Sequence, residues 1–118
     1  MTDTRLEHDL LGDREVHASA YYGVHTLRAQ ENFQISGITI ATMPELIVAL
    51  ASVKAAAAKA NAELGLLPQA QCDAIVAACA EIRSGALHDQ FVVDVIQGGA
   101  GTSTNMNANE VVCNRALE

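Results

Sequence analysis

Aromatic residues and proline are scarce in this 118-residue chain, which has two Phe, two Tyr, two Pro and no Trp. Half of the residues are nevertheless hydrophobic, and most of these are Ala, Val, Leu and Ile. Small and aliphatic side chains suit close helix–helix contacts better than the two broad inner faces of a β-sandwich. We therefore predict one domain of ordinary size, mainly α with minor short β-strands.

Basic residues are also few, with seven Lys and Arg against fourteen Asp and Glu and a formal net charge of -7. This charge has the wrong sign for long-range attraction to nucleic acid or to an anionic membrane. No window reaches the roughly 18 unbroken apolar residues of a membrane span, and the polar opening has no signal-peptide pattern. We predict a cytoplasmic protein with neither nucleic acid nor a membrane as its partner.

The three cysteines, Cys72, Cys79 and Cys113, lack the spacing of a metal site. Cys72 and Cys79 lie two helical turns apart on a predicted helix, about 10 Å along its axis, which exceeds the reach of a disulfide. The histidines show no metal-ligand spacing either. We predict buried, reduced thiols and no metal.

The sequence pattern predicts four helices, over residues 26–33, 44–64, 68–84 and 109–118. Ahead of them, short alternating segments with turns at Gly12 and Gly23 predict brief strands or irregular structure. The sequence predicts a loop or brief strand over residues 35–43. It predicts an extended segment over residues 89–97.

The helix over 44–64 carries the clearest boundary signals. Thr42 and Glu45 have the spacing of a capping box, with Pro44 in the first turn, and Gly65 is a good C-terminal stop. Because the helix is apolar around most of its circumference, we expect it to be buried on most sides. No Gly, Asn or Pro closes the final helix before Glu118, so we expect the chain to stop within a helix. We expect the apolar circumference of the 44–64 helix and this unclosed final helix both to reflect missing partner segments.

The stretch "QGGAGTSTNMNANE", residues 97–110, is rich in glycine and small polar side chains. A glycine-rich turn before a helix presents unpaired N–H groups and the positive end of the helix dipole, which together suit an anion. Thr102, Ser103 and Thr104 add hydroxyl donors. The stretch matches neither the Walker pattern nor the dinucleotide fingerprint, so a carboxylate is favoured over a nucleotide phosphate. The alternative is a plain turn followed by a helix cap.

Three asparagines, Asn105, Asn107 and Asn109, follow at alternate positions. They cannot all lie on one face of a helix. If the segment is helical, some of these amides must face protein or ligand, where they need hydrogen-bond partners.

The stretch "GGAGTSTNMNANEVVCNRALE" closely resembles the segment of the fumarase/aspartase superfamily that reads Gly-Ser/Ala-Gly-Thr-x-x-Asn-Met-Asn-x-Asn-Glu-Val. The opening "RLEHDLLGDREVHASAYYGVHTLRAQENFQIS" resembles the start of its class II enzymes. "YYGVHTLRAQENF" and "QGGAGTS" are similar to the aspartase branch, whereas fumarases tend to read Trp-Gly-x-x-Thr-x-Arg and Thr-Gly-Ser-Gly-Thr-Gln. His17 and Val92 depart from the family, since Pro is common at both positions.

The resemblance implies a fold that is mostly helical, in proteins several times longer than this chain. Family members are homotetramers with a central bundle of long helices, and each active site draws on three subunits. They eliminate ammonia reversibly from L-aspartate to give fumarate, without an organic cofactor. By this resemblance residues 1–118 form the N-terminal lyase domain, without the central bundle and the C-terminal domain.

By family analogy Thr102 contacts a substrate carboxylate, Gly101 and Ser103 shape the same loop, and Asn105 supports it. Removing a proton beside a carboxylate places a second negative charge there, which donors at a helix start would stabilise. The family's general-base serine lies in a later Gly-Ser-Ser-x-Met-Pro-x-Lys loop that has no counterpart in this sequence. We therefore assign no catalytic base and expect these residues alone to be inactive.

Two alternatives stay open. A fumarate hydratase would use the same loop with water in place of ammonia. A stand-alone, non-catalytic helical module would bind dicarboxylates or pair with a lyase.

Outside the loop we interpret the remaining polar residues as structural. We expect a structural role for His25 beside the Tyr pair and a solvated or bridging role for Arg28. We expect Lys54 and Lys59 on a solvated or inter-subunit face, with self-association through the 44–64 helix. Two acidic side chains, Asp89 and Asp94, are expected to be ordinary loop carboxylates.

Overall fold

The computed structural model describes residues 3–118. In these residues a two-stranded sheet precedes four α-helices, with two short 3-10 turns between them. The elements, in chain order, are β1 (Thr4–Asp9), β2 (Gly12–His17), α1 (Val24–Asn32), a turn (Ile40–Thr42), α2 (Pro44–Glu63), α3 (Gln69–Arg83), a turn (His88–Gln90) and α4 (Thr102–Ala116). The prediction of a mainly α domain with minor strands is confirmed.

The sheet is an antiparallel hairpin in which Thr4 pairs with His17 and Asp9 pairs with Gly12. Gly12 has a φ of 119°, a conformation that favours glycine, so the predicted turn there is correct. The inner face of the hairpin is mostly polar, with Val16 as its buried apolar residue. The guanidinium of Arg5 donates to the backbone carbonyls of His17, Ala18, Ala20 and Tyr22. One side chain thereby fixes the path that leads from the hairpin to α1.

α2 starts at Pro44, but the predicted capping box is wrong. The hydroxyl of Thr42 donates to the carbonyl of Thr39 at 2.8 Å, and no side chain caps the helix. The reason is that Thr42 belongs to the preceding 3-10 turn, which engages its hydroxyl locally. The predicted stop is correct, since Gly65 has a φ of 73° just beyond the end of α2.

Within residues 3–118 α2 is buried on one side only, which leaves the exposed faces through which self-association was expected. Only one stripe of the helix is buried, formed by Ile47, Ala51, Ala55 and Ala58. Val53, on another face, is 62% exposed. The described residues supply neighbours for one side of α2. Leu50 is half-buried against the core, whereas the opposite apolar surface around Val53 faces solvent.

The core lies where α2, α3 and α4 meet, closed by the extended segment over 91–95. Its largest side chains, each no more than 1% exposed, are Ile40, Ile47, Ile82, Phe91, Val93 and Val111. The extended segment forms one isolated bridge, between Thr39 and Asp94, as its predicted extended character suggests. α3 closes at Gly85, which has a φ of 107°.

The three cysteines are free thiols. Cys72 and Cys79 are buried as predicted, and burial raises the pKa of Cys79. Cys113 is exposed, so its predicted burial is wrong. It lies on the face of α4 that borders an open groove between α2 and α3. Across residues 3–118, no helix combines the length and the apolar character needed to cross a membrane.

Candidate functional site

The glycine-rich stretch forms a tight turn that leads directly into α4. The N–H of Gly101 donates to the carbonyl of Gly98 at 3.0 Å. Gly101 then occupies the N-cap position with φ 67° and ψ 21°, in the left-handed region that glycine adopts without steric cost. The helix therefore begins at Thr102, seven residues before the predicted start at 109, and ends at Ala116, before Glu118.

The first turn of α4 is capped from outside the helix by Gln97. Its Oε1 accepts from the N–H of Thr104 at 3.1 Å, and its Nε2 donates to the Thr104 hydroxyl at 2.6 Å. The same Nε2 donates to the carbonyl of Asp94 at 2.9 Å. Gln97 thus forms hydrogen bonds with both the N–H and the hydroxyl of Thr104. By contrast, the N–H groups of Thr102 and Ser103 have no partner among residues 3–118.

The four residues predicted to bind substrate lie together but face different surroundings. Gly101 and Thr102 are exposed at the tip of the turn. Ser103 is buried and lines a cavity beside α1. Asn105 is exposed, and its Oδ1 accepts a hydrogen bond from Lys54 Nζ. The open side of the helix start therefore combines Gly101, Thr102 and a nearby lysine.

The sequence predicted neither the contact of Lys54 with this region nor the capping role of Gln97, although Gln97 opens the glycine-rich stretch. Lys54 was expected on a solvated or inter-subunit face. It reaches Asn105 across 51 positions of sequence, and a single sequence contains no signal of that contact. Gln97 directly precedes the glycines, but a glutamine at that position does not by itself indicate a cap.

Asn107 serves the fold rather than an open site. It is 0% exposed, its Oδ1 accepts from the N–H of Val92 at 2.9 Å, and its Nδ2 donates to the carbonyl of Gln90 at 2.9 Å. Asn107 thereby attaches the extended segment to α4. The expectation that the three asparagines face different surroundings is confirmed, since Asn105 is exposed and Asn109 half-buried.

Glu110 ties α4 to the start of α1. Its Oε1 accepts from the N–H and the hydroxyl of Thr26, at 2.8 and 2.7 Å. Glu7 accepts from the N–H of Val24 at 2.9 Å, so two carboxylates cap a helix that lacks a capping side chain of its own. An added Cβ at Gly23 would lie 1.9 Å from Glu110 Oε2. A side chain at position 23 would therefore displace the capping carboxylates of Glu110 and Glu7.

Arg28 bridges α1 to the hairpin. Its Nε and Nη2 donate to the two oxygens of Asp9 at 2.8 and 2.9 Å, and Nη2 also donates to the carbonyl of Gly12. The hydrogen bonds from Arg28 lower the pKa of Asp9. Arg28 thus has the bridging role expected of it. His25 is exposed, so its expected structural role beside the tyrosines is wrong.

Asp94 is 6% exposed and closes the loop after α1. Its carboxylate accepts from the N–H groups of Ser36, Gly37 and Ile96, at 2.8 to 2.9 Å, and from the Ser36 hydroxyl. These bonds, chiefly that from the Ile96 N–H, hold the pKa of Asp94 far below its usual range. Asp94 is thus the loop carboxylate that was expected. In residues 3–118 no three His, Cys, Asp or Glu side chains are grouped to hold a metal ion.

Two open cavities border α4. One, of about 690 Å³, is a mostly apolar groove between α2, α3 and α4. The other, of about 480 Å³, lies between the hairpin, α1 and the start of α4. The polar side chains that line this second cavity are Asp9, Arg14, His25, Arg28, Glu31, Asn32 and Ser103.

Comparison with known proteins identifies the family to which this arrangement belongs. A family model described as lyase matches residues 12–117, and the chain belongs to that lyase family. It is 59% identical to the aspartate ammonia-lyase of Pseudomonas aeruginosa over 118 residues, which is 100% of this chain and 25% of that protein. It is 58% identical to the aspartate ammonia-lyase of Escherichia coli strain K12 over 115 residues, 97% of this chain and 24% of that protein.

Solved structures give the same fold. The fumarate lyase:delta crystallin of Brucella melitensis bound to cobalt superposes with a TM-score of 0.96 at 57% identity, covering 98% of this chain and 25% of that one. The class II fumarase of Schistosoma mansoni superposes with a TM-score of 0.91 at 37% identity, covering 97% and 24%. The chain therefore has the N-terminal architecture of these lyases and spans about a quarter of the length of the relatives it matches.

Proposed function

We propose that these residues are the N-terminal part of an enzyme that reversibly eliminates ammonia from L-aspartate to give fumarate. In this proposal the first turn of α4 binds a carboxylate of the substrate. The observation that carries it is the exposed helix start, where Thr102 follows a left-handed Gly101 and two N–H groups lack partners among residues 3–118. The names of relatives at 58 to 59% identity support the choice of aspartate.

The chemistry of elimination suits such a helix start. Loss of the proton beside a carboxylate turns that group into a more highly charged species, and the charge grows as the transition state is approached. Fixed N–H and O–H donors aimed at this position stabilise the developing charge, and one donor contributes roughly 3 kcal/mol. The positive end of the α4 dipole adds to the same effect.

Lys54 extends this favourable electrostatic environment. Its ammonium group lies at Asn105, one turn along α4 from Thr102. We propose that Asn105 supports the site indirectly by holding this cation near the helix start. Gly101 contributes its left-handed turn, which brings the Thr102 backbone into the open.

The remaining parts of the enzyme lie outside these residues in this proposal. The general base and the other substrate contacts come from later segments, and three subunits of a homotetramer complete each site. The central helical bundle and the C-terminal domain belong to those later segments. We propose that the enzyme works in the cytoplasm without an organic cofactor, and that residues 1–118 alone are inactive and self-associate through α2.

Fumarate hydratase is the second candidate. The observation in its favour is the TM-score of 0.91 with the class II fumarase of Schistosoma mansoni. The two reactions share the dicarboxylate and differ in whether ammonia or water is eliminated. The start of α4 serves either reaction, so substrate preference must be measured.

The experiment uses the natural polypeptide that contains these residues and follows fumarate formed from L-aspartate and from L-malate. We expect L-aspartate to be preferred and Thr102→Ala to lower kcat/KM by about 100-fold. Thr102→Ser keeps the hydroxyl and should retain most activity. Thr42→Ala, at an exposed threonine that caps no helix, is the matched control and should behave as the wild type.

Three results would contradict parts of this proposal. Preference for L-malate would identify a hydratase. Full activity of Thr102→Ala would remove the Thr102 hydroxyl from substrate binding and leave only the N–H groups of the helix start for that role. Binding of dicarboxylates without turnover of either substrate would favour the non-catalytic module.

A further inference from the structure

The glycine-rich turn before α4 is not held in place by packing within the described chain. Residues 98–101 are all exposed, and a Cβ added at Gly99 or Gly101 would meet no atom within 4 Å in residues 3–118. Glycine has more conformational freedom than any other residue. Since this turn presents Thr102 to the proposed substrate, its shape must be fixed by other means.

The side chain of Gln97 connects the two ends of this turn. Its Nε2 donates to the Thr104 hydroxyl at 2.6 Å, and its Oε1 accepts from the Thr104 N–H at 3.1 Å. The same Nε2 donates to the carbonyl of Asp94 at 2.9 Å. An amide nitrogen has two N–H donors, so Gln97 uses both of them. These bonds close a ring around residues 98–103 and attach it to Asp94.

Asp94 is itself fixed by hydrogen bonds. It is 6% exposed, and its carboxylate accepts from the N–H groups of Ser36, Gly37 and Ile96. The Ser36 hydroxyl donates to it as well, at 2.7 Å. Gln97 therefore couples the start of α4 to a rigid part of the fold.

The position of this cap leaves donors open at the helix start. A side chain at the N-cap normally accepts from the second or third N–H of its helix. In α4 the N-cap is Gly101, which has no side chain, and Gln97 takes the third N–H, that of Thr104. The N–H groups of Thr102 and Ser103 have no partner in the described part of the chain. The cap thus completes the helix start without filling the place of a ligand.

The neutrality of the Gln97 amide matters for the same reason. A glutamate at this position would also cap the helix, and its charge would favour the positive end of the helix dipole. That charge would, however, repel a substrate carboxylate bound at the same turn. A glutamate would also lack an N–H for the carbonyl of Asp94. Glutamine caps the turn without opposing an anionic ligand.

We propose that Gln97 is a positioning residue for the lyase reaction. It holds the glycine-rich turn so that the Thr102 hydroxyl and the two open N–H groups point to one substrate carboxylate, and it acts through Thr104 without touching the substrate. This inference rests on the proposed function, because it takes the first turn of α4 as the carboxylate site.

The experiment measures steady-state formation of fumarate by the natural polypeptide, from whichever of L-aspartate and L-malate the wild type converts. Gln97→Met keeps the length of the side chain and removes its amide. We expect it to raise KM and to lower kcat/KM by about 10- to 100-fold, since a misplacement of about 1 Å can cost about 100-fold in rate. A merely structural role would reduce the fraction of active enzyme and leave its KM unchanged.

Gln97→Glu separates the charge of this side chain from its shape. It keeps an acceptor for the Thr104 N–H, so its Tm should be no lower than that of Gln97→Met. We nevertheless expect its KM to rise about tenfold, because the added carboxylate repels the substrate carboxylate. Gln34→Glu adds the same charge at an exposed glutamine in the loop after α1. This control should keep the KM and the Tm of the wild type.

A wild-type KM in both Gln97 variants, together with a loss of activity in Thr102→Ala, would overturn the role of Gln97 and leave the proposed function intact. A raised KM in Gln97→Met alone would refute the need for a neutral side chain. Failure of the wild type to convert either substrate would contradict the proposed function, and this inference with it.

Discussion

Replacing Asn107 by alanine separates a structural role of the asparagine-rich segment from a role in binding. The side chain is fully buried and makes two hydrogen bonds of 2.9 Å, one from the N–H of Val92 and one to the carbonyl of Gln90. Its contact with the N–H of Val93 is longer, at 3.5 Å, and adds little. Asn107→Ala therefore leaves two backbone groups without partners.

The expected cost follows from those two groups. Each unsatisfied buried partner costs about 1–3 kcal/mol, so the loss of both bonds in Asn107→Ala should lower the free energy of unfolding by about 2–6 kcal/mol. This is a large fraction of the roughly 5–15 kcal/mol that stabilises a typical domain. The measurement is equilibrium unfolding in urea, followed by circular dichroism, on the 118-residue chain.

Asn105→Ala is the matched control on the same helix. Asn105 is exposed, and exposed substitutions usually change stability by no more than about 0.5 kcal/mol. Equal stability of the two variants would refute the assignment of Asn107 as the side chain that fastens the extended segment to α4.

Three further predictions concern other parts of the fold. Gly23→Ala should destabilise the chain by about 1–3 kcal/mol in urea unfolding, because its Cβ would displace the capping carboxylate of Glu110; unchanged stability would show that this carboxylate can move freely. The pKa of Asp94 is lowered in the folded state from 3.8, so its stabilising contribution is present above that pH and is lost as the pH falls below it. Asp94→Asn should therefore flatten the acid limb of the stability profile, and an identical limb would contradict this. Cys113 should react with a thiol reagent in the native chain while the two buried cysteines react only in denaturant, as peptide mapping would reveal; equal native reactivity of all three would contradict their burial.

The helices over 44–64 and 68–84 were predictable because their signals are local. Periodic apolar residues, a proline at each start and a glycine after each end determine these boundaries. The capping box failed for a reason that is equally local. Thr42 has the right spacing, but its hydroxyl bonds instead to the carbonyl of Thr39.

The start of α4 was predicted seven residues late because its first two turns consist mostly of Thr, Ser and Asn, which are weak helix formers. Tertiary contacts outweigh that propensity. Gln97 caps the first turn, Asn107 bonds to the extended segment and Glu110 bonds to α1. None of these contacts can be predicted from the local sequence pattern. The residues of the first two turns of α4 therefore did not indicate a helix by themselves.

The type of structure that the glycine-rich turn and Thr102 form, a turn with hydrogen-bond donors at a helix start, was predictable from the sequence. Three glycines before a run of hydroxyl residues indicate backbone donors at a helix start. The separation of Thr102 from Ser103 was not predictable, because it depends on which side of α4 the first helix occupies. The approach of Lys54 to Asn105 depends in the same way on the packing of α2.

The most direct measurement of the proposed role of α4 is a crystal structure of the natural polypeptide with fumarate bound. We predict a fumarate carboxylate oxygen about 3 Å from the Thr102 hydroxyl and from the N–H groups of the first turn of α4. Fumarate bound elsewhere, with the first turn of α4 free of ligand, would contradict that role.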